Sequence, residues 1–318
     1  MYKNAKTKEV AIINTPNIYR KKRKIQSSPK FYITFLFIIL YNVIGDYMFW
    51  NIIKYIIFGL VQGFTEPLPI SSSGHLVLFR YLFNTDAFDD LNFEIILNFA
   101  SFIAIFYIFR KDIFKLIKSF LSYIFKPETR NEKSVQSDWK YAWLIAIGSI
   151  PAAIGGFLLK DFIEAKLGNI KFLGIAFIIT AILLFFVRKL NGKKHDKDLT
   201  FMDAIIIGLF QMIALTPGIS RSGAVLTACL IRGLDRDTAL KYTFMLYLPV
   251  SIGSFILSIK DILTLSTSML IPYVLGFIVT IIATYFASLF FFNIVKKGHL
   301  ERFSIYLIFL GIVILLFI

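Results

Sequence analysis

Long apolar runs, separated by short polar or charged stretches, cover most of this chain from residue 32 onward. Several runs approach the roughly 20 residues that an α-helix needs to cross a bilayer. Inside a bilayer the backbone must satisfy its own hydrogen bonds, which favours helices. The pattern therefore predicts an all-α polytopic membrane protein, with apolar segments at residues 32–45, 52–65, 76–83, 93–109, 141–159, 171–187, 201–215, 224–231, 242–259, 271–295 and 303–318.

Two pairs of these segments each flank a short polar turn. In each pair the second arm has too few residues to cross a bilayer, so each pair is expected to form a re-entrant helical hairpin that dips into the membrane and returns to the same side. Such a break at membrane depth is tolerated only where protein or a water-filled cavity surrounds it. The hairpins are predicted at residues 52–65 with 76–83 and at 201–215 with 224–231.

The two polar turns are versions of one another. Aligned without gaps, G-L-V-Q-G-F-T-E-P-L-P-I-S-S-S-G (59–74) and G-L-F-Q-M-I-A-L-T-P-G-I-S-R-S-G (208–223) share seven of sixteen residues at an offset of 149 positions. The first copy alone carries a carboxylate, with a histidine just after it, and the second alone carries an arginine. Different chemistry in two related turns suggests two halves that meet at one centre.

Charged residues predict how the segments are oriented. Loops 110–140, 188–198 and 296–302 carry eight, five and three Lys or Arg against four, two and one acids, whereas loop 84–92 has three Asp and no Lys or Arg. Positively charged loops remain in the cytoplasm. Each half then contains one hairpin and three spans, and an odd number of spans inverts the second half relative to the first. This is the inverted-topology repeat of many transporters.

The repeat divides the chain into four parts. Residues 48–190 are predicted as the first repeat and residues 198–318 as the second. Residues 1–30, with nine Lys or Arg against one Glu, are expected to form a basic cytoplasmic tail near anionic lipid. Residues 31–47 are expected to add an N-terminal transmembrane helix. A cleaved signal peptide is disfavoured because no A-x-A-like site follows, and Met48 is an alternative start of translation.

The composition narrows the class of function. The chain is 57% hydrophobic and carries a formal net charge of +15. Because its Lys and Arg lie between the apolar runs, anionic lipid headgroups explain them and nucleic-acid binding is not expected. No Cys/His cluster indicates a zinc site, and no P-loop or dinucleotide fingerprint occurs. The single cysteine, Cys229, excludes an internal disulfide.

The first turn offers a carboxylate and an amide. A carboxylate within an apolar segment is energetically costly, so Glu66 is expected to be functional rather than a helix-end cap. Gln62 lies four residues earlier on the same helical face. It is expected to hydrogen-bond Glu66 or to help position a metal, and the structural alternative is a contact between helices.

The same turn offers hydroxyls and an imidazole. Ser71, Ser72 and Ser73 follow a proline break, where the backbone N–H groups at the start of a helix form a natural anion site. Ser72 or His75 would supply a nucleophile, and His75 could equally transfer protons. The structural alternative is a serine N-cap with His75 at the membrane interface.

The second turn offers a guanidinium group between two hydroxyls. Arg221 is not expected to face lipid, and its planar fork suits two phosphate oxygens. Ser220 and Ser222 would add donors on either side. A structural ion pair is the alternative, and it weakens when the two turns are interpreted as one site.

The motifs Q-G-F-T-E-P-L-P-I-S-S-S-G-H and P-G-I-S-R-S-G closely resemble the paired signatures of the undecaprenyl-diphosphatase (bacitracin-resistance) membrane family, from about Met48 to the C-terminus. The resemblance implies six spans and two re-entrant hairpins in the plasma membrane, with a site open to the outer face. It implies hydrolysis of undecaprenyl diphosphate to the monophosphate and phosphate, with Mg²⁺ or Ca²⁺ as cofactor. The expected partners are a polyprenyl diphosphate and membrane lipids, and a homodimer is left open.

The resemblance also assigns roles to residues of both turns. It implies that Glu66 is an essential acid. It implies that Ser72 and His75 are the nucleophile and its proton-transfer partner. Arg221, with Ser220 and Ser222, would bind the diphosphate. Gln62 fills the Glu/Gln position of the family, and it forms the candidate ligand set for the cation together with Glu66. Val225 departs from the pattern, since many members have threonine there.

Two alternatives stay open from the sequence. A transporter or flippase of a lipid phosphate or small anion would use the same inverted repeat and broken helices. The attacking group is also undecided among Ser72, His75 and water.

Overall fold

The computed structural model describes residues 46–83, 91–159, 169–262 and 269–318. Residues 1–53 are a unit apart from residues 54–318, and of that unit only the helical stretch 46–53 is described. The predicted basic tail, the predicted span at 32–45 and the acidic residues of loop 84–92 lie outside the described residues.

Each predicted apolar segment within the described residues coincides with an α-helix. Short 3₁₀ turns lie at Pro127–Thr129 and Asp196–Asp198. In chain order the helices are α1 (Asp46–Thr65), α2 (Ser72–Phe83), α3 (Leu91–Phe125), α4 (Lys133–Leu158), α5 (Ile170–Val187), α6 (Phe201–Ile213), α7 (Arg221–Ile231), α8 (Arg236–Leu257), α9 (Ile259–Ile262), α10 (Leu270–Lys297) and α11 (Glu301–Phe317).

The predicted loop at 110–140 is wrong over most of its length. Helix α3 continues to Phe125 and α4 already begins at Lys133. The basic residues of this stretch suggested a loop, but apolar residues recur beneath them at helical spacing, at Ile113, Ile117 and Phe120. Charged side chains on the other face of a helix do not interrupt it, so the basic residues did not mark the end of α3.

The helices are long and apolar enough for a multi-pass membrane protein. Within the described residues, six of them meet the length and composition needed to span a bilayer: α1 from Met48, α3 from Phe93, α4, α5, α8 and α10. Helix α11 has 17 residues, which is about 25 Å at 1.5 Å per residue. It packs along α5, and this places its side chains next to α2.

Two glycines let helices approach to backbone contact. A Cβ atom added at Gly59 of α1 would lie 2.5 Å from the carbonyl oxygen of Gly276 in α10. One added at Gly208 of α6 would lie 2.4 Å from the carbonyl oxygen of Gly148 in α4. Because no side chain fits at these positions, α1 is held tightly against α10 and α6 against α4.

The loops that enter and leave the α6–α7 hairpin meet each other. Lys194, before α6, forms a parallel β-bridge with Leu234, after α7. Beside them the fully buried Asp203 of α6 accepts hydrogen bonds from Arg232 Nε at 2.6 Å and from Lys194 Nζ at 3.1 Å. Its carboxylate also caps α6 through Thr200. One buried carboxylate therefore joins both ends of the hairpin.

Replacing Asp203 by Asn is expected to destabilise the protein by about 3 kcal/mol, because two cations lose their buried partner. The sole cysteine, Cys229, is buried, so a thiol-reactive fluorophore reports unfolding in detergent. Asp237→Asn is the matched control, since Asp237 is 68% exposed in its pair with Lys296. Equal melting temperatures for the two variants would contradict this role of Asp203.

Candidate active site

The turn between α1 and α2 presents a carboxylate and three hydroxyls at a break in the helix. Helix α1 ends at Thr65, and Pro67 and Pro69 prevent it from continuing. Ser71 then adopts a left-handed backbone conformation, with φ of 69°, which is uncommon for a residue other than glycine. Its hydroxyl accepts the N–H of Gly74 at 3.3 Å. The strained residue thus caps the start of α2 and presents Ser72 at its first position.

Glu66 is the centre of this turn. Its side chain is only 5% exposed. One carboxylate oxygen accepts hydrogen bonds from the Gln62 amide at 3.0 Å and from the Ser72 hydroxyl. The other oxygen accepts from the guanidinium of Arg221 at 3.0 Å. The carboxylate of Glu66 thus has three hydrogen-bond donors, one of them cationic.

The turn between α6 and α7 is built in a related way. Helix α6 ends at Ile213, and Gly218 has φ of 90°, which favours glycine. Ser220 is the N-cap of α7, and its hydroxyl accepts the N–H of Gly223 at 3.2 Å. Thr180 of α5 accepts the N–H of Ser220 at 3.2 Å. These bonds fix the residue that precedes Arg221.

Two contacts hold the turns together. The first is the Arg221–Glu66 ion pair. The second is the hydroxyl of Ser222, which donates to the carbonyl of Leu68 at 3.0 Å. Residues 155 positions apart in the sequence therefore form a single polar centre.

The wall opposite the turns comes from α3 and α8. The guanidinium of Arg221 lies 4.8 Å from the centre of the Tyr247 ring, within the range of a cation–π contact. The Tyr247 hydroxyl contacts the side-chain oxygen of Asn98 at 2.7 Å, and Ser251 also bonds this oxygen at 3.4 Å. The ring beneath Arg221 is thus held by hydrogen bonds to a neighbouring helix.

Residues of both turns, together with Asn98 of α3, line one cavity of about 220 Å³. It contains the predicted residues Gln62, Glu66, Ser71, Ser72, Ser73, Ser220, Arg221 and Ser222. The cavity is large enough for a diphosphate headgroup. Its concentration of hydroxyl donors around one guanidinium is suited to phosphate oxygens.

His75 is the predicted site residue that does not line this cavity. Its ring is 4% exposed and lies against Phe177 of α5 and Tyr306 of α11. The ring of His75 therefore lies outside the cavity that the carboxylate and serines of the same turn line.

Sequence reasoning missed Glu94 and Asn98, one helical turn apart on α3, which both line the cavity. Glu94 pairs with Arg80 of α2 at 3.0 Å. The rule that an acid in an apolar segment is functional by default would have selected Glu94, as it selected Glu66. Asn98 carried no comparable signal, because a single amide in a membrane helix is commonly structural.

Val225 stands where many family members have threonine, and the nearest hydroxyl along the chain is that of Thr227. Val225 and Thr227 of α7 are both buried, at 1% and 0% exposure. Neither lines the cavity, and the Thr227 hydroxyl has no hydrogen-bond partner. Thr227 therefore does not replace a hydroxyl contact at the site.

Comparison with known proteins assigns the chain to a family. Residues 55–313 match the family described as "Bacitracin resistance protein BacA". The chain belongs to this family. The match includes both turns and α1 to α11 apart from the ends, so the whole cavity lies within it. The resemblance seen in the two motifs is confirmed.

Curated members of the family are similar along nearly their whole length. "Undecaprenyl-diphosphatase 2" of Bacillus thuringiensis is 46% identical over 273 residues, which cover 85% of this chain and 99% of the relative. "Undecaprenyl-diphosphatase" of Oceanobacillus iheyensis is 44% identical over 274 residues, covering 85% and 98%. "Undecaprenyl-diphosphatase 1" of Halalkalibacterium halodurans is 40% identical over 268 residues, covering 84% and 96%.

The donors of the cavity fit a hard cation only in part. Within the described ranges, no three His, Cys, Asp or Glu side chains lie together as a metal cluster. However, the buried Oε1 atom of Gln62 has no hydrogen-bond partner, and Gln62 lines the cavity beside Glu66. Carboxylate and amide oxygens are the ligands that Mg²⁺ and Ca²⁺ prefer. The chemistry of these two residues therefore suits such an ion, with other ligands supplied by water or by phosphate oxygens.

The Glu66–Arg221 pair predicts strong coupling between the turns. Glu66→Gln and Arg221→Gln should each destabilise the protein by about 1–3 kcal/mol, since each leaves an unpaired charge that is partly or fully buried. The double variant should lose less than the sum, with a coupling of about 1 kcal/mol.

Thermal unfolding, monitored by the labelling of Cys229, gives the stability of the wild type, the two single variants and the double variant. The exposed pair Lys296–Asp237, at 2.8 Å, is the matched control and should show almost no coupling. Additive effects at Glu66 and Arg221 would contradict the view that the ion pair joins the turns.

Proposed function

We propose that this protein hydrolyses undecaprenyl diphosphate, or a similar polyprenyl diphosphate, to the monophosphate and inorganic phosphate. The observation that carries the proposal is the cavity where Arg221 and a Glu66-bound Ser72 hydroxyl face the same space. The names of the relatives support the substrate and the reaction. They do not favour the transporter that the same architecture also allowed. The product would be the lipid carrier used again in cell-envelope glycan synthesis.

The geometry favours Ser72 as the attacking group. The Ser72 hydroxyl donates to Glu66, so the carboxylate is placed to accept its proton as the oxygen attacks the terminal phosphorus. The bond from that phosphorus to the bridging oxygen breaks, and the polyprenyl monophosphate leaves. Water then hydrolyses the phosphoserine and releases inorganic phosphate.

Arg221 would bind the phosphate oxygens in this reaction. In the free protein its guanidinium is paired with Glu66, and a diphosphate entering the cavity would compete for it. Movement of Arg221 onto the phosphate frees one carboxylate oxygen of Glu66 at the moment when a base is needed. The hydroxyl of Ser220 and the adjacent start of α7 would add donors for the negative charge, while the Ser222 hydroxyl keeps its proton on the Leu68 carbonyl.

A divalent cation, Mg²⁺ or Ca²⁺, belongs to the proposal, with Glu66 and Gln62 as the residues that would hold it. When bound, such an ion neutralises phosphate charge as a Lewis acid. The unpartnered Gln62 oxygen supports this assignment.

The membrane arrangement we propose is an inverted repeat with two re-entrant hairpins. The equivalent residues Gly59 and Gly208 make matching backbone contacts with α10 and α4, and this supports the repeat. The meeting of Lys194 with Leu234 at the two ends of the α6–α7 hairpin supports its return to the side of entry. The resemblance to the family supports a location in the plasma membrane with the site towards the outer face, and the charge pattern supports cytoplasmic loops at residues 110–140, 188–198 and 296–302. A homodimer is compatible with this arrangement.

Phosphate release from undecaprenyl diphosphate by the purified protein tests the reaction. Arg221→Ala and Ser72→Ala should each reduce turnover by roughly a thousandfold, because transition-state stabilisation or the nucleophile is lost. Arg221→Lys should restore little, since a point charge replaces a planar fork.

The control is Asp237→Asn, which should retain wild-type turnover. Thermal unfolding must show that each inactive variant is folded. Full activity in folded Arg221→Ala would refute the assignment of the site, and absence of phosphate release from wild type would refute the function.

Single-cysteine labelling tests the orientation. In a Cys229→Ser background, a cysteine at the exposed Glu128 should be protected from a membrane-impermeant reagent applied outside the cell, whereas one at the exposed Lys260 should react. After permeabilisation both should react equally. The reverse pattern would contradict the proposed orientation.

A further inference from the structure

Both ring nitrogens of His75 are occupied by protein partners. Nδ1 lies 2.7 Å from the carbonyl oxygen of Ser71. Because a carbonyl oxygen only accepts, Nδ1 carries the proton and donates it. Nε2 lies 2.7 Å from the Tyr306 hydroxyl. In the neutral ring Nε2 accepts a hydrogen bond from that hydroxyl. The two bonds therefore select one tautomer of His75.

The surroundings of His75 keep its ring away from the cavity. It stacks nearly parallel on Tyr306, with ring centres 5.7 Å apart and an interplanar angle of 12°. Phe177 lies on it from α5, with ring centres 5.2 Å apart. To reach a phosphorus atom in the cavity, the ring would have to break both hydrogen bonds and leave this aromatic packing.

The bond to Ser71 connects His75 to the reacting group. The Ser71 carbonyl accepts both the backbone N–H of His75, at 3.1 Å, and its ring N–H. This carbonyl belongs to the peptide that links Ser71 to Ser72. Since Ser71 has the unfavourable φ of 69°, two donors on its carbonyl stabilise a conformation that serine rarely adopts.

We propose that His75 is a positioning residue rather than a nucleophile, and that Tyr306 is its anchor on α11. The pair acts through the Ser71 carbonyl to hold the Ser72 hydroxyl on Glu66. This inference rests on the proposed function. It adds Tyr306 to the residues on which turnover depends, although Tyr306 lies outside the cavity and 42% of its surface faces outward.

The inference predicts a graded effect of substitutions at His75. Asparagine places an amide near the position of Nδ1 and keeps the bond to Ser71, but it can neither attack phosphorus nor transfer a proton. His75→Asn should therefore lose roughly two- to tenfold in kcat, the loss expected for one neutral hydrogen bond. His75→Ala loses both bonds and should fall by a further factor of about ten. Neither variant should approach the loss in Ser72→Ala.

Tyr306→Phe tests the other half of the proposal, the hydrogen bond between Tyr306 and His75. It keeps the stacked ring and removes only the hydroxyl, so kcat should fall by roughly two- to tenfold while KM stays near the wild-type value. In the His75→Asn background the same substitution should cost nothing more, because its partner nitrogen is already absent. Tyr285→Phe, which removes another tyrosine hydroxyl in a transmembrane helix, is the matched control and should retain wild-type kcat.

A spectroscopic measurement gives a readout apart from activity. The chain has three histidines, so ¹⁵N-histidine NMR of the wild-type protein and of His75→Asn identifies the His75 signals by difference. The expected signals are those of a neutral ring protonated at Nδ1, and Tyr306→Phe should shift the Nε2 signal. An Nε2-protonated ring would overturn the proposal.

The kinetic outcomes separate the inference from the function on which it rests. If wild type releases no phosphate, the proposed function fails. If wild type is active and His75→Asn, although folded, is as inactive as Ser72→Ala, His75 takes part in the chemistry and the inference fails. Additive losses for His75→Asn and Tyr306→Phe would also overturn it.

Discussion

The ion pair between Glu66 and Arg221 is the interaction on which the site depends. It joins two turns that each interrupt a helix, and in the proposed re-entrant arrangement each turn alone would expose polar backbone that a bilayer does not tolerate. By meeting, the turns surround each other with protein. Ser222 adds a second bond between them at the Leu68 carbonyl. The same contact places a carboxylate, a hydroxyl and a guanidinium around one cavity.

The repeat in the sequence explains how such a centre arises. The two turns retain two common features: a glycine that allows close helix contact, at Gly59 or Gly208, and a serine whose hydroxyl caps the second helix, at Ser71 or Ser220. Their chemistry differs, with a carboxylate in one and a guanidinium in the other. Opposite charges at related positions attract, whereas two identical turns would have placed like charges together.

Much of this could be predicted from the sequence. The described helices lie where the apolar runs predicted them, and eight of the nine predicted site residues line one cavity. The continuation of α3 to Phe125 was missed, because the basic residues between its apolar positions made residues 110–125 look like a loop. His75 is the ninth predicted site residue, and it does not line the cavity. Proximity in sequence to Ser72 suggested a shared site, but the ring of His75 packs between Phe177 of α5 and Tyr306 of α11. The packing of α5 and α11 against α2 determines where the His75 ring lies, and this packing could not be predicted from the sequence.

A structure with a non-hydrolysable polyprenyl methylenediphosphonate tests the central claim most directly. If the two turns form one catalytic centre, the diphosphonate lies in the cavity, with Arg221 on its oxygens, Ser72 facing the terminal phosphorus, and His75 still bonded to Tyr306. A ligand that contacted only one turn, or that drew His75 onto its phosphorus, would contradict the account.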